Sequence, residues 1–212
     1  IISLTAYSKN IAKILDKYCD IILVGDSMAN VLYGLSSTSE ITLQNIIQHT
    51  LSVKKGVKKS LLVVDMPKNT YNSSKKAAVN AKLIITKTGC DAVKLENNSN
   101  NFKIIESLVK KKIPVMGHIG FTPQFKKKFK VEGDTPHNAK KLLKEALYIE
   151  KAGAFGIVLE CIAPQTSKLI TSKLKIPTIG IGSSHYCDGQ ILVTDDMLGI
   201  SGFYPKFVKK YA

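Results

Sequence analysis

Hydrophobic and polar positions along the chain define two kinds of segment that alternate. Short apolar runs rich in β-branched residues are typical of strands buried on both faces of a parallel sheet. They cover Ile2 to Ala6, Ile21 to Gly25, Leu61 to Val64, Ala92 to Leu95, Pro114 to Gly117, Phe155 to Leu159, Pro177 to Ile181 and Ile191 to Val193. Between them lie amphipathic segments of helical length, including Ser8 to Tyr18, Leu43 to Val57, Ser73 to Thr88, Phe102 to Lys111 and Thr135 to Ala152.

This alternation of strands and helices predicts an α/β fold. Right-handed β-α-β crossovers and a count of about eight strands favour a closed (β/α)8 TIM barrel, with a doubly wound open sheet as the alternative. Helix boundaries agree with the pattern, since Thr135-Pro136 can start one helix and Thr88-Gly89 can end another. No linker, composition shift or internal repeat divides the chain, so residues 1–212 are predicted to form a single barrel domain.

The formal net charge of +15 raises nucleic acid as a partner. All 31 basic residues are lysines, however, whereas nucleic-acid readers use arginine for bidentate contacts with guanine and phosphate. We therefore interpret the lysines as a solvated surface and expect no nucleic-acid partner. The densest run, Lys126 to Lys128 with Lys130, lies in the predicted loop 125–130 and could attract an anionic substrate tail.

Membrane and redox signals are also absent from the sequence. No apolar run reaches the roughly 18 residues that a membrane helix needs, so no membrane partner is expected. The four cysteines are far apart and form no C-x-x-C pair, which indicates neither a zinc site nor a disulfide framework and favours the cytoplasm. The chain starts on an apolar segment without Met, and we expect that N- and C-terminal segments of the full-length protein are missing.

Polar residues follow or interrupt the C-terminal ends of five apolar runs. They are Asp26, Asp65, Lys94 with Glu96, His118 and Glu160. The C-terminal ends of parallel barrel strands share one rim, where barrel enzymes build their active sites. Any single aspartate there could instead cap the following helix. Because charged groups on five strands are costly to desolvate unless they bind something, the set favours a functional cluster.

Carboxylates that converge without thiolates favour a hard cation, and magnesium over zinc or copper. Asp26 and Asp65 are the candidate ligands, and Glu96 could bind the ion through a water molecule. Lys94 points the same way as Glu96, because side chains along a strand alternate with a period of two. Lys94 could therefore hold a substrate carboxylate in the same pocket.

Glu160 and His118 are the candidates for proton chemistry. Apolar residues surround Glu160 in the sequence, and such a setting would raise the pKa of its carboxyl group and suit it to act as the base. His118 could be an orienting donor or a structural histidine.

The same segments resemble those of the ketopantoate hydroxymethyltransferase family. The resemblance spans nearly the whole chain and follows the family's order. It is carried by Leu4 to Tyr7, Ile22 to Ser27, Val64 to Pro67, Ala92 to Glu96, Pro114 to Gln124, Val158 to Cys161, Ile176 to Gly182 and Asp188 to Val193.

The resemblance implies a barrel of the phosphoenolpyruvate mutase/isocitrate lyase type, assembled as a homo-oligomer that is often a decamer. It also implies a reaction in which 5,10-methylenetetrahydrofolate donates a one-carbon unit to 3-methyl-2-oxobutanoate, giving 2-dehydropantoate for pantothenate synthesis. The family's metal ligands correspond to Asp26 and Asp65, and Glu96 lies beside the metal. Its ketoacid contacts correspond to Ser27, Asp65 and Lys94, its base to Glu160, and a further pocket residue to His118.

The chain departs from the family in places, and other functions stay open at this point. The Lys-rich loop 125–130 is shorter than usual, so the sequence assigns no residue to the folate. One alternative is another magnesium-dependent 2-oxo acid C–C lyase or mutase, which would be expected to carry a mobile cysteine-bearing loop that the sequence lacks. A second alternative is a non-catalytic basic barrel, whose phosphate binding would weaken steeply with salt.

Overall fold

The eight predicted strands form a closed parallel barrel. The computed structural model describes residues 1–98, 102–126, 128–202 and 205–211. Each strand pairs with its neighbours in sequence order, and β1 closes the barrel against β8. The strands are β1 Ile2–Thr5, β2 Ile21–Val24, β3 Leu61–Asp65, β4 Ala92–Glu96, β5 Val115–Gly120, β6 Gly156–Glu160, β7 Thr178–Ile181 and β8 Gly189–Leu192. The (β/α)8 prediction is confirmed, and the open-sheet alternative is wrong.

Helices connect the strands and cover the outside of the barrel. They are α1 Lys9–Leu15, α2 Met28–Val31, α3 Leu43–Lys54, α4 Ser74–Thr88, α5 Phe102–Lys110, α6 Pro136–Lys151, α7 Pro164–Lys173 and α8 Thr194–Leu198, with a short 3-10 helix at Thr38–Glu40. The predicted boundary signals operate: the Thr135 side chain caps α6, and Gly89 ends α4 in the left-handed conformation with a φ of 68°. Helix α2 and the 3-10 helix are too short to produce a periodic pattern, and the sequence did not predict them.

Strands β5 and β8 differ from the prediction. The apolar pattern ends the fifth strand at Gly117, whereas β5 continues to Gly120. The ladder continues because Gly120 pairs with Glu160 of β6, so the strand runs through a polar residue that faces the barrel interior. Strand β8 begins at Gly189, two residues before the predicted Ile191.

Inside the barrel, an apolar layer lies below a charged one. The apolar cluster consists of Ile21, Leu23, Val63, Ala92, Met116, Val158, Ile179 and Ile191. Since side chains two residues apart lie on one face of a strand, the next inward positions toward the C-terminal ends of β3 to β6 are Asp65, Lys94, His118 and Glu160. The apolar layer therefore lies directly below the polar groups inside the barrel.

Two further predictions can be compared with the structure. All four cysteines are free and buried, as expected of small apolar core residues. Across the described ranges, no helix has the length and apolar character needed to cross a membrane. Lys127, in the predicted basic run, lies outside the described residues.

Candidate active site

A cavity of about 860 Å³ opens at the C-terminal ends of the strands. It brings together every side chain that the sequence nominated for the site, namely Asp26, Ser27, Asp65, Lys94, Glu96, His118 and Glu160. All of them except Ser27 are buried. Their convergence follows from parallel strands that present their C-terminal ends at one rim.

Lys94 and Asp65 form the central ion pair. The strand register places Lys94 of β4 directly beside Asp65 of β3, and Nζ lies 2.7 Å from Oδ1. The other carboxylate oxygen of Asp65 accepts a hydrogen bond of 3.0 Å from the backbone N–H of Asp26. Burial alone would lower the pKa of Lys94, but Asp65, Asp26 and Glu96 raise it above its ordinary value. Lys94 is therefore a permanent cation in the cavity.

Neither aspartate of the rim acts as a helix cap. Helix α2 has Ser27 at its N-cap position, and the Oδ2 atom of Asp26 accepts a 2.8 Å hydrogen bond from the Gln124 side chain. Helix α4, the first after β3, is capped by Ser73 rather than by Asp65. The capping interpretation is wrong for both aspartates, whose carboxylates face the cavity network.

His118 lies between Lys94 and Glu160. Its Nδ1 atom is 3.4 Å from Lys94 Nζ, and its Nε2 atom is 3.1 Å from Glu160 Oε2. A lysine ammonium can only donate, so Nδ1 accepts and the ring proton belongs on Nε2, on the side of Glu160. The Nε2 contact is close but lies outside the direction of a well-formed ring N–H hydrogen bond. Burial, and then Lys94, lowers the pKa of His118 well below its ordinary value, so the ring is neutral.

The buried carboxylates hold their protons more strongly than usual. Burial raises the pKa of Glu160 to about 8, although Lys94 opposes the shift. Burial, and then repulsion from Asp65, raises the pKa of Asp26 to about 7, and burial also raises the pKa of Glu96 well above its ordinary value. Within the described part of the site, these carboxylates and Asp65 surround one buried lysine. An added cation would favour the charged forms of these carboxylates and so lower their pKa values.

The carboxylates of the cavity form a donor set for a metal ion with few protein ligands. Among the described residues, no group of three or more His, Cys, Asp and Glu side chains is placed to hold a metal ion. Magnesium commonly binds through one or two carboxylates and completes its shell with waters and substrate oxygens. Asp26 and Asp65, which are joined by a hydrogen bond and lie in a wide cavity, fit that pattern. Glu96 is not needed as a direct third ligand.

Gly120 allows the end of β5 to approach the candidate base closely. Its φ is +96°, and a Cβ atom there would collide with the carbonyl oxygen of Glu160 and lie 2.7 Å from Cγ1 of Ile162. The next residue, Phe121, donates its backbone N–H to the same Glu160 carbonyl at 2.8 Å. The conformation of Gly120 therefore helps to fix the backbone of Glu160.

Two residues of the network were not identified as functional from the sequence. Tyr7, just after β1, shares a 2.8 Å hydrogen bond with the Ser27 hydroxyl. Gln124, just after β5, is buried and contacts Asp26 and Glu96. Both stand beyond strand ends at the same rim as the nominated residues. That position beyond a strand end is a usable signal for neutral polar residues as well as for charged ones.

Comparisons with known proteins agree on one family. The family model described as ketopantoate hydroxymethyltransferase matches residues 1–212. The chain is 55% identical over 212 residues to the 3-methyl-2-oxobutanoate hydroxymethyltransferase of Pelagibacter ubique (strain HTCC1062), covering 100% of this chain and 82% of that protein. It is 52% identical to the enzyme of the same name from Clostridioides difficile (strain 630), covering 99% and 78%.

A solved structure supports the same type of fold. The barrel resembles 2,3-dimethylmalate lyase, a member of the PEP mutase/isocitrate lyase superfamily, with a TM-score of 0.72. The two chains are 13% identical, and the match covers 94% of this chain and 77% of the lyase. The likeness confirms the predicted barrel type.

Proposed function

The chain belongs to the ketopantoate hydroxymethyltransferase family, and from this membership we propose that it forms 2-dehydropantoate from 3-methyl-2-oxobutanoate in pantothenate synthesis. The one-carbon donor is 5,10-methylenetetrahydrofolate, and water supplies the hydroxyl oxygen of the product. The observation that carries the proposal is one cavity in which a buried lysine, paired carboxylates and a carboxyl group of raised pKa face each other. Each group has a separate task in this reaction.

Lys94, Ser27 and Asp65 bind the ketoacid. Lys94 stays protonated because Asp65 and its neighbours raise its pKa, so it attracts the substrate carboxylate. Ser27 is partly exposed to the cavity, and its hydroxyl is oriented by Tyr7. In the proposed complex these contacts would bring the C3 atom of the substrate near the candidate base.

Asp26 and Asp65 would hold a divalent cation, for which magnesium is proposed, and Glu96 would support it through a water molecule. Bound there, the ion would polarise the keto group and make the C3 hydrogen of the substrate more acidic. The pair of carboxylates suits an oxygen-liganded cation better than zinc or copper, because the cavity lining among the described residues has no cysteine and only one histidine, His118.

Glu160 removes the C3 proton. A pKa of about 8 gives the carboxylate a proton affinity suited to a general base near neutral pH. His118, with its Nε2–H on the side of Glu160, orients the carboxylate without adding a competing charge. Water releases the methylene carbon of the folate as formaldehyde, breaking its bonds to both nitrogens and leaving tetrahydrofolate. The electron pair left on C3 then forms a bond to the formaldehyde carbon as the C=O π bond breaks, and the resulting alkoxide takes a proton to become the hydroxymethyl group.

Folate, assembly and location complete the proposal. The outer cavity is lined in part by Phe121 and Phe207, whose aromatic rings suit the flat pterin of the co-substrate. Assembly as a homo-oligomer and a cytoplasmic location are proposed from the family. No nucleic-acid partner is proposed, because the lysines outside the cavity are interpreted as a solvated surface.

The direct test is an assay with 3-methyl-2-oxobutanoate and 5,10-methylenetetrahydrofolate, in Mg²⁺ and in EDTA. We expect 2-dehydropantoate from the wild type in Mg²⁺ and a loss of about 10²–10⁴-fold in kcat for Glu160→Gln. Glu106→Gln is the matched control, since Glu106 lies on the exposed face of α5, where it pairs with Lys110 at 2.7 Å.

A second readout isolates the role assigned to Glu160. In D₂O without folate, the wild type should exchange the C3 hydrogen of the ketoacid for deuterium, and Glu160→Gln should not. Absence of 2-dehydropantoate from the wild type would refute the proposed reaction. If the wild type forms product and Glu160→Gln still exchanges the C3 hydrogen at the wild-type rate, only the assignment of the base is refuted.

A further inference from the structure

Gln124 makes more polar contacts with the site than any role assigned so far explains. Its backbone N–H donates to Glu96 Oε2 at 3.1 Å. Its side-chain Nε2 donates to Asp26 Oδ2 at 2.8 Å and to the Met66 carbonyl oxygen at 3.0 Å. Its Oε1 accepts a hydrogen bond from the Tyr71 hydroxyl. Only 3% of the surface of Gln124 is exposed, and these hydrogen bonds hold its backbone and both ends of its amide group.

The surroundings of Gln124 allow only one orientation of its amide group. The Nε2 end faces two acceptors, a carboxylate oxygen of Asp26 and a carbonyl oxygen of Met66. A flipped amide would place Oε1 against both acceptors and leave them without a donor in a buried setting. Tyr71 donates to the opposite end and opposes such a flip. The amide is therefore a fixed donor aimed at Asp26.

A fixed neutral donor has a specific effect on Asp26. The hydrogen bond holds Oδ2 and so opposes rotation of the carboxylate about its Cβ–Cγ bond, which orders the group before any ligand arrives. Unlike a lysine or an arginine, the amide carries no positive charge that would compete with a cation or repel it. The amide therefore orients the Asp26 carboxylate without placing a second cation beside it.

Gln124 also joins strand ends that are distant in sequence. From the end of β5 it contacts Asp26 after β2, Met66 after β3 and Glu96 on β4. The Asp26 backbone N–H in turn holds Asp65, so one continuous set of hydrogen bonds runs from Glu96 to Asp65. The relative placement of the candidate ligands depends on this set.

We infer that Gln124 is a positioning residue for divalent metal binding: it sets the orientation of the Asp26 carboxylate and, through its backbone, that of Glu96. The inference rests on the proposed function in one respect, namely that Asp26 is a ligand of the metal. In this role, Gln124 itself contacts neither the metal nor the ketoacid. Partners that orient metal ligands in this way affect metal affinity by about 10–100-fold when they are removed.

The test measures the affinity for Mn²⁺ by electron paramagnetic resonance and for Mg²⁺ by calorimetry, both on the full chain without substrate. Gln124→Met keeps the length of the side chain but removes the amide, and we expect metal affinity to fall by about 10–100-fold. Gln190→Met is the matched control, because the Gln190 side chain, on β8, donates instead to the Ser184 carbonyl. This control should bind Mn²⁺ as the wild type does.

Thermal melting with and without Mn²⁺ separates positioning from general damage. If Gln124 positions a ligand, the rise in Tm produced by Mn²⁺ becomes smaller in Gln124→Met, and a higher Mg²⁺ concentration restores turnover toward the wild-type rate. A purely structural role would lower the Tm equally with and without metal and leave the affinity unchanged. That second result would overturn the inference.

Tyr71→Phe keeps the test decisive if Gln124→Met does not fold. It removes only the hydroxyl that opposes an amide flip, and we expect a severalfold loss of Mn²⁺ affinity; unchanged affinity would refute the inference. If the wild type is active and the variants bind Mn²⁺ as tightly as it does, the role of Gln124 is overturned and the proposed function stays intact. A wild type that binds Mn²⁺ but forms no 2-dehydropantoate would overturn the reaction and not the role of Gln124.

Discussion

Lys94 Nζ lies 2.7 Å from Asp65 Oδ1, and both side chains are buried beneath the open end of the barrel. Removal of one partner from a buried ion pair leaves an uncompensated charge and costs about 3–5 kcal/mol. We therefore expect Lys94→Met to lower the free energy of unfolding by about that amount in EDTA, measured by urea denaturation. The KM for 3-methyl-2-oxobutanoate should also rise, because the substrate carboxylate loses its cation.

Lys110→Met is the control for this prediction. Lys110 pairs with Glu106 at 2.7 Å, four residues earlier on the exposed face of α5. Exposed pairs of this kind contribute little to stability. The control should keep the wild-type urea midpoint, and equal losses in the two variants would contradict a special role for the buried pair.

Gly120→Ala should disturb the base without changing any charged group. The new Cβ atom would meet the Glu160 carbonyl oxygen and lie 2.7 Å from Ile162 Cγ1. We expect a lower kcat and a destabilisation of about 1–3 kcal/mol beyond the cost of the left-handed backbone. Gly34→Ala is the control, because Gly34 also has a positive φ, +63°, but a Cβ there meets nothing within 4 Å. Similar kcat values for the two variants would show that the contact with Glu160 does not matter.

The fold was predictable because its signals are local. Each barrel strand needs an apolar, β-branched run, and each such run was present in the sequence. One error occurs where a polar residue of the site interrupts the apolar pattern of a strand. His118 made β5 look shorter than it is, yet its neighbours pair with β6 through Gly120. Helix α2 has four residues, too few to show a helical period.

The members of the site were predictable for the same reason, but their connections were not. Asp65 and Lys94 stand at strand ends, so a parallel barrel must bring them to one rim. The hydrogen bond between Gln124 and Asp26 joins residues that are 98 positions apart. It depends on how the turn after β5 packs across the barrel, and no periodicity in the sequence encodes that packing.

His118→Gln should retain more activity than His118→Ala. The neutral imidazole carries its proton on Nε2, which is 3.1 Å from Glu160 Oε2, and a glutamine amide can place an N–H near the same point. We expect kcat to fall more in the alanine variant, while the KM for the ketoacid changes less than kcat. Steady-state kinetics with His137→Gln, a change at an exposed residue of α6, provide the control. Equal kcat values for the two His118 variants would contradict the orienting role.

The raised pKa of Glu160 predicts how stability depends on pH. Burial moves this pKa from 4.5 to about 8, so between these values the folded state holds a proton that the unfolded state has released. The folded state is then favoured at low pH, and its advantage is lost as the pH rises through about 8. Glu160→Gln cannot titrate, so in EDTA the wild type should lose up to about 1.4 kcal/mol more per pH unit than this variant. Urea denaturation at a series of pH values measures the difference, and Glu106→Gln should follow the wild type. If the free energy of unfolding varies with pH in the same way for the wild type and Glu160→Gln, burial does not hold a proton on Glu160. The proton affinity of the base would then need another cause.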